Sequence, residues 1–247
     1  MHQSFSKRVF HICMIISILV LMLFVFGMVA LRYEVEGETN LPFSISKIII
    51  ISNIIGEEKE DSEYNWDFSV NGINDIYMSI EKNSGYIDTE VIEEIVLSNF
   101  NLLLHPNKGQ MAIVKPYKEE GHLFKMSQDN IVNEVIYKAG LANNIKKLEI
   151  GNQGGILLFR YANLNIGEYK SNEGDTIKHN SSLLSKIGVS KDEIYSTLSF
   201  EMNIKLKSEK QYQASIQLKM PIEQMTDEKA GSIEITDLSN IVFKRIK

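Results

Sequence analysis

The 247 residues are 44% hydrophobic and 23% charged, with four Pro and a single Cys. That balance excludes a disordered, collagen-like or low-complexity chain, and one cysteine excludes an internal disulfide framework or a Cys-rich zinc module. The net charge of −6 is unevenly spread: Lys7, Arg8 and Arg32 are the only charges before Glu34, so the part from Tyr33 onward carries 23 basic and 32 acidic residues.

Residues 1–8 form a short tail, and residues 9–31 (VFHICMIISILVLMLFVFGMVAL) hold no fully charged side chain. At about 1.5 Å per residue a helix of this length reaches about 34 Å, enough to cross a hydrocarbon core of roughly 30 Å. A cleaved signal peptide is the alternative, but its apolar region runs only about 7–15 residues and ends in small residues. Cleavage after Ala30 or Gly27 would put Met28 or Val25 where a small residue is wanted, and no lipobox precedes Cys13. The expectation is an uncleaved, single-pass transmembrane helix from Val9 to Leu31. Lys7 and Arg8 against the lone Arg32 orient it with the N-terminus cytoplasmic and the rest outside.

Residues 32–41 read as a polar stalk, and from residue 42 to residue 247 the pattern is of strands. Ile48–Ile51 is a β-branched run suited to a central strand covered on both faces; exposed, it would invite aggregation. Trp66, Phe68 and Val70 alternate before Asn71-Gly72, a turn dipeptide ahead of Ile76–Ile80. Further strands are expected at Ile92–Leu104, Met111–Val114, Ile131–Tyr137, Leu148–Ile150, Ile156–Tyr161 and Ile233–Phe243. The clearest segment is 198–220. Leu198, Phe200, Met202, Ile204 and Leu206 alternate with polar residues, and Tyr212, Ala214, Ile216, Leu218 and Met220 resume the alternation. That is a hairpin with one buried face, with Leu206 placed opposite Tyr212. Ser190 and Glu193 make a capping box for one helical turn. The fold class expected is an all-β, antiparallel β-sandwich following one transmembrane helix. One domain is favoured over two halves joined across the polar stretch 116–130.

Chemical motifs are sparse. The cluster Gly151-Asn152-Gln153-Gly154-Gly155 is followed by an apolar strand and not by a helix, so it reads as a hairpin turn, with Asn152 and Gln153 available to contact a ligand. The acidic run Glu57–Glu63 lacks the alternate-position oxygens of a calcium loop. His105, His122 and His179 have no zinc-hydrolase spacing. There is no G-x-S-x-G or S-x-x-K, and Glu93 and Glu94, as strand neighbours, should point to opposite faces. No metal and no cofactor is expected. An acidic exterior disfavours nucleic acid as a partner. Arg160 stands out because it interrupts an apolar strand, as an edge position or as a half-buried Arg with a carboxylate partner.

The segments LPFSISKIIIIS (41–52), NDIYMSIEKN (74–83), GNQGGILLFRYAN (151–163), SSLLSKIG (181–188) and SFEMNIKLKSEKQYQASIQLKMP (199–221) resemble a family of single-pass membrane proteins of low-GC Gram-positive bacteria. The resemblance implies a bacterial plasma-membrane location and supplies no active site. The function expected from the residues is a non-catalytic, membrane-tethered binding or accessory module of the cell envelope, with a protein or an envelope component as partner and Arg160, Asn152 and Gln153 as candidate contacts. The alternative is a wall-glycan hydrolase whose carboxylates the fold brings together.

Overall fold

The computed structural model describes residues 14–28, 41–59, 67–86, 89–117, 121–140, 147–171 and 177–247. Residues 14–28 form a helix, α1, whose large apolar side chains are 44–73% exposed. Among the described residues no helix is long and apolar enough to cross a membrane. The rest of the predicted span, residues 9–13 and 29–31, lies outside them, as do the stalk, Trp66 and most of the acidic run after Lys59.

The chain is mostly β-sheet, and its strands belong to one sheet where a sandwich of two was expected. The eleven strands among the described residues are β1 (Phe43–Glu58), β2 (Asp67–Lys82), β3 (Ile92–Leu104), β4 (Gln110–Val114), β5 (Val135–Gly140), β6 (Glu149–Gly151), β7 (Gly154–Lys170), β8 (Thr197–Leu206), β9 (Gln211–Lys219), β10 (Gly231–Ile235) and β11 (Lys244–Arg245). Their order is β10-β1-β2-β7-β6-β5-β3-β8-β9-β11, with β4 added beside β7. Two groups of long strands, β1-β2-β7 and β3-β8-β9, are joined by the short β6 and β5. These meet in a parallel pair, and β6 touches β7 only at Gly151–Gly154. So weak a junction lets the sheet fold over, and its two halves bury one core. Phe159 of β7 packs on Phe100 of β3 and Phe200 of β8, with ring centroids 5.4–5.5 Å apart. Layering is thus sandwich-like while the hydrogen bonding is continuous.

In β1 the isoleucines alternate instead of being covered twice. Ile48, Ile50 and Ile54 are fully buried, whereas Ile51 is 38% exposed. The strand is central, with β10 on one side and β2 on the other, so its backbone is protected even where its outer face is open. Asn71-Gly72 is no turn: it lies inside β2, at a bulge between Val70 and Gly72 in the pairing with β7. The Asn71 side chain absorbs the irregularity. Its Oδ1 accepts from Asn165 N at 2.8 Å, where Asn165 has φ +57°, and its Nδ2 donates to Glu57 Oε2 at 3.0 Å. A second bulge, between Ile92 and Glu94 against β8, overturns the expectation for the paired carboxylates. Glu93 and Glu94 both lie between the buried Ile92 and Ile95; Glu94 is opposite Lys205 in the register and Glu93 Oε2 lies 3.0 Å from Lys205 Nζ.

The β8–β9 hairpin has the expected faces and a register two residues tighter. Ile204 meets Tyr212, Met202 meets Ala214 and Phe200 meets Ile216. Glu209 N donates to Leu206 O and Leu206 N to Lys210 O, both at 3.0 Å, and Glu209 takes φ +68°. This is a type I turn closed by a left-handed residue, a geometry that needs fewer loop residues than were allowed for. A shift of two keeps every side chain on its face. Two short helices, α2 (Ser182–Lys186) and α3 (Lys191–Ile194), follow β7, and Ser190 N donates to Glu193 Oε2 at 2.9 Å as the capping box requires. Late in the chain, β10 pairs with β1 and β11 with β9, so one strap borders both ends of the strand order.

A candidate binding cleft on the outer face of β7

From Ile156 to Leu164 the even-numbered residues of β7 face away from the main core. There the cross-strand row Asp75, Arg160, Val114 runs over β2, β7 and β4. Arg160 Nε donates to Asp75 Oδ1 at 2.6 Å and Nη2 to Oδ2 at 3.1 Å, with both side chains less than a fifth exposed. This two-point geometry is the strong form of the Arg–carboxylate pair. Of the stretch 116–130, expected as a polar joint, the described residues 116, 117 and 121–130 lie over this face instead. Their Phe124 ring sits 4.4 Å from the guanidinium carbon. Phe124 also forms a small second core with Ala112, Val114 and Ala162, flanked by Met126, Ile131, Leu158 and Leu164.

Between the covering segment and the strands lies a cleft of about 430 Å³, lined by Glu57, Tyr117, His122, Phe124, Lys125, Met126 and Arg160. A hollow of about 500 Å³ adjoins it, sharing Glu57, Lys125 and Met126 and reaching Asn71 and Gln128. Lys125 Nζ sits 5.4 Å from the centre of the Tyr117 ring. Burial pushes the Glu57 carboxyl above its ordinary value, against the opposing pull of Arg160 and the Asn71 hydrogen bond. The Tyr77 hydroxyl, on the same face, is raised by burial and by the Asp75 charge.

Of the residues singled out in the sequence, Arg160 is the half-buried Arg with a carboxylate partner. Asn152 and Gln153 form the two-residue turn between β6 and β7, beside Gly154 at φ +117°, where a Cβ would stand 2.4 Å from Ile80 O. The turn is as expected. The Asn152 carbonyl accepts from Ile92 N at 2.9 Å. Seven residues of extended strand, about 23 Å, separate Gln153 from Arg160, so the structure does not bring the three together. Asp75, Glu57 and Phe124 were missed. A signal existed: Asp75 is the one charge between Phe68 and Ile80, and Arg160 the one charge between Gly154 and Gly167, and opposite charges set so within two strands suit a cross-strand pair.

A third hollow, about 510 Å³, is lined by Lys115, Val132, Asn133, Glu134, Val135, Ile136 and Leu148 and holds no ion pair among the described residues. Among those residues, too, no group of three or more His, Cys, Asp or Glu is placed to hold a metal ion. No family model, curated protein or solved structure matches the chain.

Proposed function

We propose that the chain is a non-catalytic binding or accessory module of the cell envelope. It is tethered to the bacterial plasma membrane by residues 9–31, with the N-terminus cytoplasmic and the β part outside. The observation that carries this reading is α1. Its large apolar side chains are exposed on every side, Leu23 to 69% and Phe26 to 73%, whereas the β part buries its own core. An apolar surface of that kind is stable in lipid and a liability in water. Binding is favoured over catalysis because the Asp75 carboxylate beside the cleft is held at both oxygens by Arg160 and is not free to act on a bond.

Alkaline carbonate extraction and protease treatment of intact protoplasts test the tether. The chain is expected in the membrane fraction, with residues after 41 digested from outside; release by carbonate or full protection overturns it. A second reading, a wall-glycan hydrolase, draws on the raised Glu57 carboxyl, a property of general acids. It needs a second free carboxylate, and both Asp75 oxygens are already bonded to Arg160. New reducing ends from purified wall glycan, lost in Glu57→Gln, would favour it.

A further inference from the structure

The ion pair leaves part of its own chemistry unused. Arg160 commits Nε and Nη2 to Asp75, and among the described residues Nη1 makes no hydrogen bond. Glu57 accepts from Asn71 through Oε2, and among the same residues Oε1 has no hydrogen-bond partner. Both side chains line one cleft. Sheltered polar groups ordinarily fill their hydrogen-bonding capacity. A donor pair and a carboxylate oxygen in one hollow therefore suit a group that accepts and donates at once.

Charge narrows the class. Across the cleft and its annex both signs of charge occur: Glu57 and Glu58 beside Lys125 and Arg160, with Arg160 paired to Asp75 and Lys59 to Glu168. An anion would face the half-buried Glu57 and a cation the sheltered Arg160, where like charges repel strongly. A hydroxyl donates to a carboxylate and accepts from a guanidinium, and neighbouring hydroxyls on a sugar ring do both. Tyr117 adds a ring for the apolar C–H face of such a ligand, while the buried Phe124 holds the Arg160 guanidinium over its own ring. A peptide amide offers the same donor and acceptor, but an extended peptide needs a free strand edge. Beside the cleft, β4 is bonded to β7 on one side and to Ile131 and Val132 on the other. We infer that this cleft binds a neutral, polyhydroxylated ligand, a glycan of uncharged sugars, with Arg160 and Glu57 sharing a hydroxyl pair and Tyr117 against the ring. The two hollows together have room for a short oligosaccharide. The inference rests on the binding-module reading and gives that module its ligand class.

The test uses the full chain in lipid nanodiscs, titrated with the N-acetylglucosamine tetramer and with cellotetraose. A galacturonate tetramer, a glucosamine tetramer and blocked tetra-alanine serve as anionic, cationic and peptide comparators. Saturable binding of a neutral tetramer is expected, weakened about tenfold or more in Glu57→Ala, since a hydrogen bond to a charged group is lost. Removing Glu57 lifts a buried charge, so this variant should fold at least as well as the parent; the pair Asp75→Asn with Arg160→Met is the second variant. Binding of only charged or peptide comparators, neutral binding that survives both variants, or no binding at all overturns the inference. A photo-crosslinker at position 124 separates the two readings. Reproducible capture of one envelope protein without glycan binding ends the glycan inference and keeps the binding module, whereas neither result ends both.

Discussion

The two halves of the sheet share one core and differ on their outer faces. On β8 the outward residues are Ser199, Glu201, Asn203 and Lys205; the two charged ones are met by neighbours, while Asn203 Oδ1 is buried with no hydrogen-bond partner among the described residues. Asn99 Nδ2 and Gln213 Nε2 donate to Glu201 Oε2 at 2.7 and 2.9 Å, and Lys205 pairs with Glu93. On β1, β2 and β7 the outward residues mix Ile49, Ile51, Tyr77 and Leu158 with Asp75 and Arg160, and residues 121–131 are laid over part of them. The charges of a polar outer face pair within the sheet. A mixed one needs a cover, and a cover that does not fit flush leaves a cleft.

The largest test of this contrast is the core the halves share. Phe200→Ala should cost roughly 3–5 kcal/mol in urea unfolding; two separate transitions would mean that the halves do not cooperate. Next, Arg160→Met strands the Asp75 carboxylate and should cost roughly 3 kcal/mol. Adding Asp75→Asn should recover much of that loss, and a double-mutant cycle without coupling would contradict the pair. Gly154→Ala should cost about 1–3 kcal/mol, because it forces a side chain into a left-handed position against Ile80 O.

The smallest effects are in pH, and they run in opposite directions in the two halves. Burial raises Glu57, so its ionised form weakens the fold above the folded-state value; that penalty fades as pH falls toward the ordinary 4.5. Glu57→Gln should therefore raise the melting midpoint at pH 7 and lose that advantage near pH 4. Glu90 is the reverse case. Burial opposes its charge, but the Ser208 hydroxyl and the Lys210 ammonium outweigh burial and hold it below 4.5. Its contribution is full above 4.5 and is lost as pH drops through the lower folded value, so Glu90→Gln should lower the midpoint at pH 7 and converge with the parent in acid. Each shift should be within about 1 kcal/mol.

How much of this was legible follows the same contrast. The bounds expected for β3 match the structure despite its bulges, and both strands of the β8–β9 hairpin are legible because strict alternation marks a sheet with one polar side. The single sheet was not legible: joining two layers through a three-residue parallel pair, Lys138–Gly140 with Glu149–Gly151, leaves no periodic trace. Bulges at Asn71 and Glu93 were missed because one inserted residue looks like a turn or like ordinary alternation. Arg160 was singled out as a charge in an apolar strand, but its partner is 85 positions away and its aromatic neighbour lies in a stretch that reads as polar loop.

The strap that ends in β10 and β11 sets a timetable for folding. Ile48 finds its partner only when Ile235 arrives, among the most distant pairings in the chain. Closing so long a loop is slow compared with forming the adjacent β8–β9 hairpin. Until then the isoleucine run of β1 has one unsatisfied edge, open to any passing strand. A chain cut before residue 231 would keep most of its core and still be prone to self-association, so turbidity would register the loss before calorimetry did.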